Sequence, residues 1–381
     1  MLFNAEAIPG VGYRLFWLCQ EAEKHGGGKE KRGAGFVLDN GLLEVVVDKE
    51  TGQLQRVWDR FNGREVLAGA GNQLQFFQDQ GQYWDAWNID PNYERYPLPA
   101  PQLKSISWLE TGQIQQRLRV VLQFQHSEIT QDYLLQADSP VLRMVTKVDW
   151  RETHVLLKAA FPFNLEADYA SYEIACGTIE RTTKPQTAAE KAQWEVFAHR
   201  WADLTDNSQT YGVSLLNDCK YGYDAKPEQL RLSLLRSPCW PDPEADRGEH
   251  HFTYALYPHR GTWQDGATVR RGYELNVPLQ SLMLDVSKQE KTTTLPPTAT
   301  LLNIGDESLI LMACKQAEDD QKTMILRCYE SQGQECDLTL NSQLDLEICD
   351  RVDCLERVTQ QENICQIKPW QIASFTFKLS S

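Results

Sequence analysis

GLLEVVVD at 41–48, KETG at 49–52 and QLQRVWDR at 53–60 decide how this chain is read. Three consecutive valines favour extended backbone, because branched Cβ atoms crowd a helix and pack well on a pleated surface. The four polar residues that follow end in glycine and reverse the chain. The second run resumes with Leu54, Val57 and Trp58, so the three pieces predict an antiparallel hairpin.

Outward from the hairpin the same grammar recurs. Between Ile114 and Phe124, Leu118, Val120, Leu122 and Phe124 alternate with Arg117, Arg119 and Gln123, the period-2 signature of a strand with one face buried. Leu142, Met144, Val148 and Trp150 alternate in the same way with Arg143, Lys147 and Asp149. The best helical candidate is the short TAAEKAQWEVF at 187–197, which has no sustained apolar stripe. Towards the amino terminus, IPGVGYRLFWL at 8–18 reads as one strand that needs a partner elsewhere, and HGGGKEKRGAG at 25–35 reads as a flexible loop.

These strands outnumber what one seven-stranded sandwich uses. They predict an all-β chain built on a large two-sheet supersandwich. KQEKTTTLPPT at 288–298 is polar and carries Pro296-Pro297, as a linker does. Beyond it, evenly spaced strands at 308–314, 323–330, 344–350 and 372–379 predict a small terminal β-sandwich. The expected division is 1–35, a leading strand and loop; 36–290, the supersandwich; and 291–381, the small sandwich.

Composition narrows the function classes. Hydrophobic residues make up 41% and charged residues 24% of the chain, which suits a packed globular protein. A net charge of −15 opposes nucleic-acid binding, which rests on clustered Lys and Arg. No run approaches the roughly 20 apolar residues of a spanning helix. MLFNAEAIPG lacks the basic flank and apolar core of a signal peptide, so no membrane partner and a cytoplasmic location are expected. The ten cysteines form no CxxC pair and read as reduced thiols.

Two segments carry polar chemistry. GQYWDAWNIDPNYERY at 81–96 interleaves aromatics with acids, a mixture suited to a sugar: carboxylates hold hydroxyls, and indoles cover C–H faces. A loop buttress would use the same residues. In the second, LRLSLLRSPCWPDPEADRGEHHFTYALYPHRG at 230–261, acids, Arg247 and His250 crowd between two strand-like runs. His250 and His251 are adjacent and would point to opposite faces of a strand, and no HExxH spacing occurs, so no metal ligand is assigned. Nor is a catalytic carboxylate pair, a nucleophile elbow, a P-loop or a dinucleotide fingerprint assigned.

Asp85-Ala86-Trp87, then YGVSLLND at 211–218 with Lys220-Tyr221-Gly222-Tyr223, then LSLLRSP at 232–238 and Asp246-Arg247-Gly248-Glu249-His250, resemble in order and spacing the β-region of glycoside hydrolase family 38 α-mannosidases, especially the cytosolic type. VGYRLF at 11–16, EIACGTIER at 173–181 and KPWQI at 368–372 extend the resemblance over nearly the whole chain. It implies a galactose-mutarotase-like supersandwich and a retaining glycosidase acting on α-mannosides, with a zinc-bound mannose and an aspartate nucleophile. In that family those parts come chiefly from an amino-terminal α/β barrel and the helical region after it, and this chain shows neither pattern. The resemblance therefore implies a partner in that catalytic domain, a mannoside substrate, no cofactor held here, and an isolated chain without activity. Asp85, Trp87, Arg247 and His250 are the expected sugar contacts. A free-standing carbohydrate-binding module and an aldose-epimerase-like enzyme are the competing readings. Apolar surface left open near 8–18 and 81–96 would also promote a homo-oligomer.

Overall fold

The computed structural model describes residues 2–18, 35–81, 84–284, 296–359 and 365–379. The loop read at 25–35, apart from Gly35, and the linker read at 288–298, apart from Pro296, Pro297 and Thr298, lie outside the described residues. So do Gln82 and Tyr83.

The chain is all-β and divides into two compact units. The first holds Lys31–Ile174 and Thr178–Pro278, and the second holds Phe3–Glu30, Ala175–Gly177 and Leu279–Ser381. In the first unit a nine-stranded antiparallel sheet runs, in spatial order, Gly177–Thr182, Tyr169–Ile174, Trp201–Thr205, Tyr211–Asn217, Gly248–Arg260, Leu142–Trp150, Ser127–Gln136, Gln115–Phe124 and Gln102–Thr111. A five-stranded sheet of Val196–Phe197, Gly222–Lys226, Gln229–Leu235, Val155–Pro162 and Gln73–Gln78 lies opposite. The opening hairpin forms Leu43–Val47 and Leu54–Asp59 of a four-stranded sheet. Bridges Leu54–Gly71 and Leu67–Phe163 join that sheet to the five-stranded layer. The result is the two-layer supersandwich.

One core fills the space between the layers. Leu142, Met144, Val148 and Trp150 face Leu74, Phe76, Leu157, Phe161, Leu230 and Leu232 across it. Fully burying a side chain of this size contributes about 1.5–3 kcal/mol. The core also holds a closed polar chain. Tyr254 donates to Asn72 Oδ1 at 2.6 Å and accepts from Gln131 at 2.6 Å; Asn72 donates to Tyr133 at 2.8 Å, and Tyr133 donates to the Gly52 carbonyl at 2.9 Å. The hairpin turn is thereby tied into the nine-stranded sheet. Gly52 has φ +74, and a Cβ there would sit 2.5 Å from Val120 Cγ1, so the turn requires glycine.

Strand Val155–Pro162 departs from alternation: seven of its eight residues are buried. Its inner face packs Val155, Leu157, Ala159 and Phe161 into the core, and its outer face places Leu156 beneath Phe77 and Tyr93. Lys158 sits on that outer face. A strand covered on both sides loses the period-2 signal.

The helical reading of 187–197 shrinks to Ala188–Lys191, closed by a Thr187–Glu190 capping box, and the chain returns to strand at Val196–Phe197. A longer helix, Thr268–Asn276, escapes periodicity because its sequence TVRRGYELN has few apolar residues. Thr268 meets Ser214 at 2.8 Å, and Asn276 donates to the Asn217 carbonyl at 2.9 Å, so polar bonds dock it on Tyr211–Asn217. Among the described residues no helix is long and apolar enough to cross a membrane.

The second unit is a small sandwich of two four-stranded sheets. One contains Leu309–Gln316, Met324–Glu330, Ile372–Leu379 and Leu346–Val352. The other contains Val11–Arg14, Thr298–Gly305, Cys336–Asn341 and Gln366–Ile367. Leu302, Ile304, Leu326, Leu338, Phe375 and Phe377 fill its core. The leading strand thus finds its partner in Thr298–Gly305. Leu15, Phe16, Trp17 and Leu18 after it are exposed.

Asp203 is fully buried in the first unit, where His259 Nε2 lies 2.8 Å away and Thr205 and Ser214 each donate to it at 2.7 Å. Burial disfavours the carboxylate, but His259 and the two hydroxyls outweigh it and hold the carboxyl below its ordinary 3.8. Its contribution to stability is therefore present above pH 3.8 and lost as pH falls through the lower, folded-state value. Asp203→Ala should cost about 3–5 kcal/mol near neutral pH. Urea unfolding of both proteins between pH 7 and pH 3 should show that difference shrinking at the acid end.

Candidate functional site

The loop after strand Gln73–Gln78 carries the first polar segment. Gly81 opens it at φ +61, where an added Cβ would lie 2.8 Å from Asp85 Cβ, so glycine lets the loop fold back on Asp85. Asp85 is buried, and its two oxygens accept the backbone N–H groups of Cys239, at 2.7 Å, and Trp240, at 3.0 Å. His154 Nδ1 lies 3.7 Å from Asp85 Oδ2. Burial works against this carboxylate, but the two N–H donors, with His154 and Arg236 nearby, hold it below its ordinary value. Asp85 is thus a clip that joins the first polar segment to the second.

The clip assembles three tryptophans. Trp84 lies 4.4 Å from Trp240 between ring centroids, and Trp87 lies 5.4 Å from it. Their exposures are 60%, 65% and 47% for Trp84, Trp87 and Trp240, so this is surface and not core. An exposed indole cluster is a platform for an apolar face of a ligand.

The second loop is held from within. Arg236 Nε meets Asp79 at 2.5 Å and its guanidinium also donates to the Asn88 carbonyl, while Asp79 accepts Asp90 N–H at 3.0 Å. Asp246 accepts the Ser237 N–H at 3.0 Å and the Arg236 N–H at 3.3 Å, and Trp150 Nε1 bonds to Ser237 Oγ. His250 is half-buried, with Nε2 2.7 Å from the Asp246 carbonyl. Arg247 reaches solvent and pairs with Glu244 at 3.7 Å.

The far end of the first loop sits on the outer face of the five-stranded sheet. There Lys158, fully buried, lies 2.5 Å from both Glu195 and Asp224. Arg231 bonds to Asp224 at 2.8 Å, to Tyr93 at 2.9 Å and also to Glu94. Ser233 donates to Glu195 at 2.5 Å. Burial alone would favour a neutral amine at Lys158, but Asp224 and Glu195 outweigh it and keep the ammonium with a raised pKa. Burial likewise opposes the Asp224 carboxylate, which Lys158 and Arg231 hold ionised.

Of the four residues expected to touch a sugar, Asp85 and Trp87 share one loop, and Arg247 and His250 share the other. The loops are joined through Asp85 and Arg236. Among the described residues, neither Arg247 nor His250 hydrogen-bonds to Asp85. Trp84, one of the aromatics of the first segment, and Trp240, which stands in the quoted second segment, complete the platform, though neither is among the four expected contacts. The sequence signal for Lys158 is faint, a lone lysine inside the apolar run VLLKAAF at 155–161. No group of three or more His, Cys, Asp or Glu able to hold a metal ion occurs among the described residues.

Comparison with known proteins fits this arrangement. Residues 38–244, more than half of the chain, match the family model described as "Glycosyl hydrolases family 38 C-terminal domain". Residues 308–375 match "Glycosyl hydrolases family 38 C-terminal beta sandwich domain". Alpha-mannosidase 2C1 of Homo sapiens is 34% identical over 365 residues, an alignment covering 92% of this chain and 34% of that protein. Alpha-mannosidase of Saccharomyces cerevisiae is 32% identical over 388 residues, covering 89% of this chain and 34% of the relative. The chain thus spans about a third of the length of these relatives. The crystal structure of an alpha-mannosidase from Enterococcus faecalis V583 shares the fold, with a TM-score of 0.74 at 15% identity over 89% of this chain and 42% of the other.

Replacing Asp85 with alanine removes both acceptors of the clip. Amide hydrogen exchange at Cys239 and Trp240 should accelerate by about tenfold or more, the equivalent of one strong hydrogen bond, while exchange in strand Leu142–Trp150 stays slow. Unchanged protection at Cys239 and Trp240 would remove the clip from the account.

Proposed function

The chain belongs to glycoside hydrolase family 38, as its carboxy-terminal β-domains, and from that premise we propose that it supports and completes the mannoside-binding cleft of an α-mannosidase whose catalytic part lies outside this chain. The observation that carries the reading is the exposed platform of Trp84, Trp87 and Trp240, built at the place where two polar loops are clipped together. An indole face complements the C–H face of a pyranose, and the acidic and basic groups of the second loop offer partners for hydroxyls. Trp87 is the principal stacking residue in this reading. Asp85 acts by holding Trp240 in place, Arg247 stands ready as a donor in the second loop, and His250, whose Nε2–H is taken by the Asp246 carbonyl, offers Nδ1 to a sugar hydroxyl.

This chain supplies binding and orientation only. The bond-breaking groups, a nucleophilic aspartate and a divalent metal such as zinc, belong in this reading to the amino-terminal catalytic domain. Where the metal is bound it would polarise the sugar that the nucleophile attacks. The enzyme would work in the cytoplasm, where free thiols persist. Among the described residues no cysteine takes part in a disulfide.

A second reading, a free-standing carbohydrate-binding module, draws on the same platform. The two separate in one experiment on the whole enzyme and on this chain. In the whole enzyme Trp87→Ala should raise KM for a chromogenic α-mannoside by about tenfold, with a smaller effect on kcat, because a stacking contact made in both ground and transition states is lost. An unchanged KM contradicts the cleft reading. Selective mannoside binding by the isolated chain, abolished by the same substitution, would favour the module.

A further inference from the structure

The outer face of the five-stranded sheet carries more charge than a stable sandwich requires. Lys158 is fully buried, and replacing a buried ion pair by well-packed apolar groups is often neutral or stabilising, because desolvation cancels much of the attraction. Such a cluster contributes geometry more readily than stability. What it fixes here can be read from its partners.

Lys158, Ser233 and Gln75 lie in one row across three strands, since Lys158 pairs in register with both other residues. Ala160, Arg231 and Asp224 form the next row. Above the rows lies Tyr93, only 2% exposed, edge-on to Phe77 with ring centroids 5.0 Å apart. Its hydroxyl accepts from Arg231 at 2.9 Å and lies 3.4 Å from Lys158 Nζ and from Asp224 Oδ2. Next to it, Glu94 takes Arg231 and, at 3.0 Å, Lys226. Tyr93 and Glu94 belong to the loop that carries Trp84 and Trp87. That loop is therefore held at three places: by Asp85, by Asn88 and Asp90 on the Arg236–Asp79 pair, and by Tyr93 and Glu94 on the charged rows.

We propose that Lys158 and Arg231 are positioning residues for the tryptophan platform: their ion-pair network with Glu195 and Asp224 presents a fixed set of donors to Tyr93 and Glu94, and so sets where Trp84 and Trp87 stand against Trp240. Neither side chain touches the ligand surface. The consequence for sugar binding rests on the mannoside reading above; the positional claim does not.

The platform has its own optical signature, because indoles at these separations couple and give an exciton couplet in circular dichroism. Trp201 and Trp263, 5.1 Å apart, add a second one. The part removed by Trp240→Phe defines the platform's share. The paired substitution Lys158→Met with Glu195→Gln removes one positive and one negative charge and leaves Arg231 with Asp224. In this chain it should keep the unfolding temperature within about 5 °C, yet lose most of the platform's share of the couplet. A folded double variant with that share intact overturns the proposal. If the double variant does not fold, Tyr93→Phe removes only the hydroxyl that joins loop to rows. It should weaken the same share, and full retention overturns the proposal equally. In the whole enzyme the double variant should raise KM for the α-mannoside by about tenfold. A lost couplet with an unchanged KM would leave the positioning role standing and remove the mannoside reading instead.

Discussion

A lysine ammonium with no access to water has to be neutralised where it lies, and much of the first unit follows from that requirement at Lys158. Strand Val155–Pro162 runs through the five-stranded layer with one face in the core, so its other face needs a cover. An apolar cover would have sufficed for stability. Instead Asp224, from the strand beyond Gln229–Leu235, and Glu195, just before strand Val196–Phe197, meet the lysine, Arg231 balances Asp224, and the surplus donors reach up to Tyr93 and Glu94. The cover is thus the loop of residues 84–96, and its position is dictated by directional, charge-assisted bonds, which tolerate less displacement than packed methyl groups.

From that seat the chemistry passes outward. The loop brings Asp85 beneath the second loop, where two backbone N–H groups close on its carboxylate. Arg236 performs the reciprocal task, reaching from the second loop to Asp79 and Asn88 at the root of the first. Both connections are buried or half-buried, so solvent and salt weaken them little. The three indoles are left in solvent, together with Tyr96 and Arg247. Rigid support beneath an exposed aromatic surface is the arrangement expected where a site must be preorganised for a ligand.

The fold was legible in the sequence wherever one face of a strand meets water. The Leu142–Trp150 strand shows its buried face by alternation, and the runs at 323–330 and 372–379 form the strands Met324–Glu330 and Ile372–Leu379. Legibility ends where both faces are covered or polar bonds replace packing, as at Val155–Pro162 and helix Thr268–Asn276. The two site segments were visible as dense mixtures of aromatic and acidic residues. Their division of labour was not, because composition cannot separate a carboxylate that meets a ligand from one that meets two backbone N–H groups. Asp85 belongs to the second kind of contact in this structure. Trp240 joins Trp84 and Trp87 only because that clip exists, a relation across 155 residues of chain that no local pattern encodes.

The measurement that bears most directly on the account is hydrolysis of a chromogenic α-mannoside, with added zinc or cobalt, by this chain, by the matching amino-terminal catalytic part, and by the two mixed. The account predicts no turnover by this chain and full activity only when both are present, with the mixture weakened by Trp87→Ala. Turnover by this chain alone would place a complete active site within it and contradict the central claim.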